Sequence, residues 1–249
     1  LYGRERQWEK SSAAYRKAIE LNPTAVEPRL GLAGVALSQG KDEEAITQLQ
    51  ATVQQQPGNR LAVLLIAGLY DRLARYDQAI AVLEAAVKAD PRQPAFGLGI
   101  AEMYLKKGRY DDAIGKVGEL LAANPDLAGA RLIRGQALLA KGDANAIKEF
   151  VEVARANPKS AGAQYLLARA YVQSQRVPEA QAAYREAIRL QPDFTQAKAE
   201  LALVSGQKPD QGEQLKEMEQ LRAAVKANPK DLVARERLAR RLLASGQIK

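Results

Sequence analysis

Apolar positions recur along the chain at the three- and four-residue spacing of amphipathic helices. One such segment runs from Ala95 to Lys107, and Gly108 follows it where a helix commonly ends in a left-handed turn. Asp111 and Asp112 then begin a second amphipathic segment, where carboxylates complement the exposed amide groups and the helix dipole. Pro125 closes that segment, because proline cannot continue a helix. The pattern predicts a helix, a tight turn and a second helix.

The same pair of segments recurs through the whole sequence. The closing prolines are separated by 34, 34, 34, 33, 34 and 37 residues; they are Pro23, Pro57, Pro91, Pro125, Pro158, Pro192 and Pro229. Small residues recur at two places before these prolines, where two antiparallel helices would cross most closely. The first set is Ala33, Ala67, Ala101, Gly135, Ala168, Ala202 and Ala239, and the second is Ala45, Ala79, Ala113, Ala146 and Ala180. A period of this length predicts an array of helical hairpins.

These residues resemble the tetratricopeptide repeat family, most closely in Arg60–Pro91 and Pro94–Pro125. The resemblance covers the whole chain and implies an all-α fold, a right-handed superhelical α-solenoid of stacked antiparallel helix pairs. The fifth repeat departs from the pattern by lacking one residue near Ala144, and Leu120 and Val153 replace the family's late alanine.

The repeats predict a single array over residues 1–249. Its expected parts are a truncated repeat at 1–25, repeats at 26–59, 60–93, 94–126, 127–160, 161–194 and 195–231, and a half repeat at 232–249. Trp8 takes the turn-aromatic place of the truncated first pair, and the seventh repeat carries an insertion near "GQKPDQGE". Leu238 and Leu242 lack a polar cap, and the first residues lack an initiator Met, so we expect the parent protein to continue at both ends.

In this family the first helix of each pair lines a concave groove. The resemblance implies that positions two, five, nine, twelve and thirteen of each repeat face that groove. The candidate partner-binding residues are Leu30, Gly34, Leu37, Leu64, Gly68, Asp71, Leu98, Glu102, Leu105, Leu132, Gln136, Leu139, Tyr165, Arg169 and Val172. Position five is leucine in four successive repeats, and two interpretations of that row are open. The leucines pack against neighbouring helices, or they form an apolar strip that accepts an extended or helical segment of a partner.

The second interpretation favours a protein–protein interaction scaffold that binds a partner peptide or helix in the groove. The alanine- and arginine-rich sequence resembles bacterial members of the family, including those of envelope polysaccharide export and protein sorting. The absence of cysteine fits both a bacterial periplasm or envelope and a cytoplasm, so the compartment is open. No apolar run reaches the length of a membrane span.

Composition argues against catalysis. The chain has neither Cys nor His, so the usual nucleophile and the usual acid–base group near neutral pH are missing. We expect no catalytic residue, no cofactor and no metal site. An alternative is that the array is the regulatory part of a larger enzyme.

The formal charge of +8 is concentrated in the second half of the chain. Residues 1–125 carry 16 basic and 15 acidic side chains, whereas residues 126–249 carry 21 and 14. A basic half, including "ARERLARR" at 234–241, suits an acidic partner or nucleic acid as an alternative to a solvated helical surface. Single-strand binders interleave aromatic and basic side chains, and the candidate groove offers only Tyr165, which argues against nucleic acid. The uncapped ends favour end-to-end self-association.

Overall fold

The computed structural model describes residues 2–206, 218–219, 221–226, 238 and 242, with side chains from residue 7 onward. Among the described residues there is no strand, and twelve α-helices lie between residues 2 and 204. They are α1 Tyr2–Leu21, α2 Val26–Ser38, α3 Asp42–Gln55, α4 Arg60–Arg72, α5 Tyr76–Ala89, α6 Pro94–Lys106, α7 Tyr110–Ala123, α8 Ala128–Lys141, α9 Ala146–Ala156, α10 Ala161–Gln173, α11 Val177–Leu190 and α12 Thr195–Val204.

The turn inside each hairpin is a left-handed helix cap. Gly108 follows α6 with φ of 71°, and the next amide, of Arg109, donates to the carbonyl oxygen of Tyr104 at 2.9 Å. The same turn places Ala74 and Gln175 at φ of 55° and 58°, where glycine would be less strained. The turn is therefore imposed by the packing of the two helices as well as by the local sequence.

The first compact unit is Leu1–Asn157 and contains α1 to α9. Each helix packs against the next, and the first helices α4, α6 and α8 also contact one another in turn. The predicted small residues of this unit are buried; they are Ala33, Ala67, Ala101, Gly135, Ala45, Ala79, Ala113 and Ala146. The second compact unit is Pro158–Lys249, in which α11 packs against α10 and α12 around Ala168, Ala180 and Tyr184. The predicted all-α class of stacked antiparallel helix pairs is confirmed.

Glycines compensate for large residues inside the repeats. A Cβ added at Gly97 would lie 2.9 Å from Cδ2 of Leu120, the residue that replaces the family's late alanine. A Cβ added at Gly135 would lie 2.7 Å from a ring carbon of Phe150, which is fully buried. Each large side chain therefore occupies the space that a small partner on the first helix leaves open.

Ion pairs recur between successive repeats. An aspartate near the start of one second helix pairs with a basic residue at the end of the first helix of the next repeat. The pairs are Asp42 with Arg72, Asp77 with Lys107, and Asp111 with Lys141. Most of these side chains are exposed, so each pair contributes only about 0.2–1 kcal/mol to the free energy of unfolding. Their main effect is to align each repeat with the next.

The predicted turn at Trp8 is wrong. Residues 2–21 form the single helix α1, and no first helix precedes it within the described residues. Arg6 stands where the later repeats place Gly40 or Gly108, so the residue that most favours the left-handed turn is missing there. The predicted insertion at residues 206–213 lies almost wholly outside the described residues, as do Ala239 and most of the predicted half repeat.

None of the described helices combines the length and the apolar character that crossing a bilayer demands.

Candidate functional site

The candidate groove residues of the first compact unit lie on α2, α4, α6 and α8. We call the side of these four helices that carries the candidate residues the first-helix face. Gly34, Gly68 and Glu102 are exposed. The other candidates on this face are half-buried; they are Leu30, Leu37, Leu64, Asp71, Leu98, Leu105, Leu132, Gln136 and Leu139.

The leucine row at position five is neither sealed from water nor fully exposed. Leu30 and Leu64 pack against the core formed by α2 to α6. Leu98 packs against the core of α6 to α8 and lies over Gly129, where an added Cβ would be 3.3 Å from its Cδ1. These leucines therefore support the packing of neighbouring helices and still present part of their surface to solvent.

Two further leucines of α4 are more exposed than the predicted row. Leu61 is 57% exposed and Leu65 is 38% exposed, one helical turn apart. Leu61 occupies position two of the repeat and Leu65 occupies position six. Position two is one of the predicted groove positions, so the repeat register could have identified Leu61 from the sequence. Position six is not a predicted groove position, and the residues there in the other described repeats are buried or half-buried. The exposure of Leu65 is therefore visible only in the three-dimensional structure.

Gly34 and Gly68 leave backbone uncovered on the first-helix face. Both occupy position nine, in successive repeats, and a Cβ added at either would meet nothing within 4 Å. Among the described residues, therefore, no packing contact requires glycine at these two places. The first-helix face is open to close approach there.

A charged triad lies beside the apolar part of the face. Lys106 Nζ is 2.5 Å from Asp71 Oδ2 and 3.5 Å from Glu102 Oε1. Burial lowers the pKa of Lys106, but the hydrogen bond to Asp71 and the charge of Glu102 outweigh that effect and raise the pKa above its usual value. Lys106 therefore stays charged, and the triad carries a net charge of −1.

In the second compact unit the candidate residues Tyr165, Arg169 and Val172 lie on α10. The Arg169 guanidinium is 5.9 Å from the centre of the Tyr165 ring, and Val172 is 39% exposed. The Tyr165 hydroxyl donates to Glu200 Oε1 of α12 at 2.6 Å. Glu200 lies at position six of the next repeat, which is not among the predicted groove positions.

Glu200 accepts hydrogen bonds from two tyrosines. Its Oε2 accepts from the hydroxyl of Tyr184, whose ring is buried and 6.0 Å from that of Tyr165. Burial, followed by the hydrogen bond to Glu200, raises the pKa of both tyrosines above the usual value of 10.0. Both hydroxyls therefore stay protonated and donate hydrogen bonds at neutral pH. They hold the Glu200 carboxylate between α10 and α11.

Within the residues that the structure covers, no cluster of three or more carboxylates could hold a metal ion. The basic segment at 234–241, with Arg240, lies outside the described residues except for Leu238.

Two family models, each described as tetratricopeptide repeat, match the chain. One matches residues 64–126 and 104–161, and the other matches residues 4–69 and 138–204. No curated protein matches the sequence.

Solved structures of similar fold include YrrB, described as a TPR protein with an unusual peptide-binding site. It is 22% identical with a TM-score of 0.57, over 75% of this chain and 96% of its own. A tetratricopeptide repeat protein from Parabacteroides merdae is 17% identical with a TM-score of 0.62, over 87% of this chain and 98% of its own. MamA from Desulfovibrio magneticus is 17% identical with a TM-score of 0.59, over 68% and 97%. At these identities the likeness shows the fold alone.

Proposed function

This chain belongs to the tetratricopeptide repeat family, whose members are generally non-enzymatic scaffolds for protein–protein interaction, and we propose that it binds an extended or helical segment of a partner on the first-helix face. The observation that carries the proposal is the pair of exposed leucines on α4, Leu61 and Leu65, together with the uncovered backbone at Gly34 and Gly68.

The two glycines support close approach by a partner. A glycine in a helix interior is less stable than alanine by about 0.8–1.0 kcal/mol. At Gly34 and Gly68 this cost has no compensating contact inside the chain. A partner backbone lying against both positions would use the space that a side chain would otherwise fill.

The exposed apolar surface is sufficient for part of a moderate affinity. Covering a leucine completely contributes roughly 1.5–3 kcal/mol, so Leu61 and Leu65, 57% and 38% exposed, would together supply about 1.5–3 kcal/mol. The half-buried row of Leu30, Leu64 and Leu98 adds surface of the same kind. Micromolar binding needs about 8 kcal/mol after ordering costs, so further contacts with the partner backbone are required.

The charged triad favours one orientation of the partner. Asp71 and Glu102 outnumber Lys106, and all three lie in the C-terminal halves of α4 and α6. A basic or amide-donating group of the partner is the complement of this net negative group. The triad would therefore set the register of the bound segment rather than most of its affinity.

A protein of similar fold offers a precedent for peptide binding. YrrB is described as having a peptide-binding site, and we extend peptide binding to this chain as part of the proposal. A role in a bacterial envelope or polysaccharide-export assembly stays a prediction, as does the binding of an acidic partner or nucleic acid by the basic C-terminal half.

The first testable prediction concerns the exposed leucines. Random peptides displayed on phage are selected on the full chain, and the dissociation constants of enriched peptides are measured by fluorescence polarisation. We expect a class of peptides whose Kd rises at least tenfold in the double variant Leu61→Glu, Leu65→Glu, because charge replaces the apolar contact. These positions suit the test better than Leu64 and Leu98, which also pack against the core.

The matched control is Leu21→Glu. Leu21 is 77% exposed on α1, away from the first-helix face, so the same chemical change there should leave the peptides' Kd within twofold. Circular dichroism checks that all variants keep their helix content. Selected peptides that bind the double variant as tightly as the native chain would contradict the proposed surface.

A further inference from the structure

A cleft of about 620 Å³ lies on the opposite side of α6 from the first-helix face. Ile100 and Tyr104 of α6 form its floor, and residues of α5 and α7, including Val87 and Gly115, form its walls. Ile100 lies two residues after Leu98, which turns it about 200° around the helix axis. The cleft is therefore a separate surface from the proposed partner groove. We call it the Tyr104 cleft.

In the preceding repeat, the tyrosine at the equivalent position is buried and hydrogen-bonded. Tyr70, the equivalent of Tyr104 in that repeat, is only 2% exposed, and its hydroxyl accepts from Gln50 Nε2 at 2.7 Å. In the Tyr104 cleft the residue equivalent to Gln50 is Glu84. Its carboxylate has no hydrogen bond or ion pair within the described residues, and Tyr104 is half-buried. With Glu84 in place of the glutamine, the Glu84 carboxylate and the Tyr104 side chain are both available to bind a partner.

Two repeats earlier, the equivalent cleft is smaller and has a different charge. Its volume is about 180 Å³, with Thr47 in the place of Gly115 and Arg16 in the place of Glu84. Because the helix scaffold repeats, these differences arise from side chains. Compared with the cleft two repeats earlier, the Tyr104 cleft is larger and has a glutamate in place of an arginine.

Gly115 keeps the cleft open without any internal need for glycine. It lies in the interior of α7, and an added Cβ would meet nothing within 4 Å. The equivalent residue of the preceding repeat is Ala81. Gly118, one turn later on α7, is equally open but does not line the cleft, so it offers a matched comparison.

The lining combines an apolar floor with charged groups at the rim. Three of its four carboxylates are already paired: Asp111 with Lys141, Asp112 with Arg109, and Glu119 with Lys116. The fourth, Glu84, has no ion pair within the described residues. The Tyr104 ring already receives a guanidinium: Arg109 lies 4.5 Å from its centre. A cation on an aromatic ring beside carboxylates is a favourable arrangement.

We propose that the Tyr104 cleft binds a basic segment of a partner polypeptide. An arginine or lysine of that segment reaches Glu84, and a neighbouring apolar side chain lies over Gly115 against Ile100 and Tyr104. Charge complementarity selects the basic residue, and the space above Gly115 admits the apolar one.

The same displayed peptide library tests this site independently of the first-helix face. We expect a second class of peptides in which Arg or Lys adjoins an apolar residue. Their Kd should rise at least tenfold in Gly115→Leu, which fills the cleft, and in Glu84→Lys, which replaces the unpaired carboxylate by a positive charge. Their Kd should stay within twofold in Gly118→Leu and in the Leu61→Glu, Leu65→Glu double variant.

Three outcomes overturn the proposal. The first is that no selected peptide loses affinity in Gly115→Leu or Glu84→Lys. The second is that Gly118→Leu weakens binding as much as Gly115→Leu does. The third is a native chain that dimerises in sedimentation while Gly115→Leu stays monomeric, which would assign the cleft to a second copy. Glu84→Lys is an exposed change that keeps the test decisive if Gly115→Leu fails to fold.

Discussion

Glu200 shows how single residues distinguish one repeat from the others. It accepts from Tyr165 and Tyr184, so one carboxylate connects α10, α11 and α12. The repeat register predicted Tyr165 as a surface residue, because it occupies position five. The register could not predict its partner, since the hydrogen bond depends on three side chains meeting across three helices.

At the residue scale, the second testable prediction is a pH dependence that comes from Tyr184. Its folded-state pKa lies above 10.0 because of burial and the hydrogen bond to Glu200. The folded chain therefore holds this proton longer than the unfolded chain does. The corresponding stability is fully present below about pH 10 and falls as the pH rises past it. We expect Tyr184→Phe to make this alkaline loss shallower, while costing about 1 kcal/mol at pH 7 through the lost hydrogen bond.

The measurement is the free energy of unfolding in urea, followed by circular dichroism between pH 7 and 11. Tyr171→Phe is the control, because Tyr171 lies on α10, which packs against the α11 of Tyr184, but stacks with Arg176 and does not meet Glu200. Equal alkaline slopes for the native chain and Tyr184→Phe would show that Tyr184 is not the source.

At the scale of helices, large and small residues exchange places between repeats. The pair Val63 and Ala86, both fully buried, becomes Gly97 and Leu120 in the next repeat. The sequence pattern marked Leu120 as a departure from the family. It did not show that Gly97 compensates, because the two residues are far apart in sequence and meet only when α6 packs on α7.

The third prediction follows from this exchange. Gly97→Val alone should destabilise the chain by about 1–3 kcal/mol, because it crowds Leu120. Leu120→Ala alone should cost about 2 kcal/mol, because it leaves a cavity. The double variant recreates the pair of the preceding repeat, so we expect it to be more stable than either single variant. A double-mutant cycle in urea measures the coupling, and simple additivity would contradict the interpretation.

At the scale of the whole molecule, stability is distributed along the stack. In repeat arrays each repeat contacts only its neighbours, so local opening need not unfold the rest. Helix α4 has six buried residues, whereas none of the described side chains of α1, from residue 7 to 21, is buried. The two compact units should likewise respond separately to substitutions in their own cores.

The fourth prediction is a gradient of amide hydrogen exchange in the first compact unit. We expect the amides of α1 to exchange at least tenfold faster than those of α4 and α5, because α1 buries less surface. Mass spectrometry of peptic peptides measures this, and Leu83→Ala should accelerate α5 more than α1. Uniform exchange across the unit would indicate one cooperative block instead.

The sequence by itself determined the period, the turns, the small crossing residues and the all-α class. These follow from hydrophobic spacing and from glycine and proline, whose effects are local and act in every repeat. The pattern indicated the wrong structure at Trp8, where the structure has one continuous helix and Arg6 replaces the glycine of the later turns.

The tertiary structure decided which surfaces are available. It left Leu61 and Leu65 exposed while half-burying the predicted row, paired Tyr165 and Tyr184 with Glu200, and opened the cleft beside Glu84 and Tyr104. Each of these outcomes depends on side chains that are distant in sequence and whose volumes and charges are balanced only when the helices pack. The repeat determines at which positions the side chains can differ. The packing of the helices determines whether a differing side chain is exposed, buried or hydrogen-bonded.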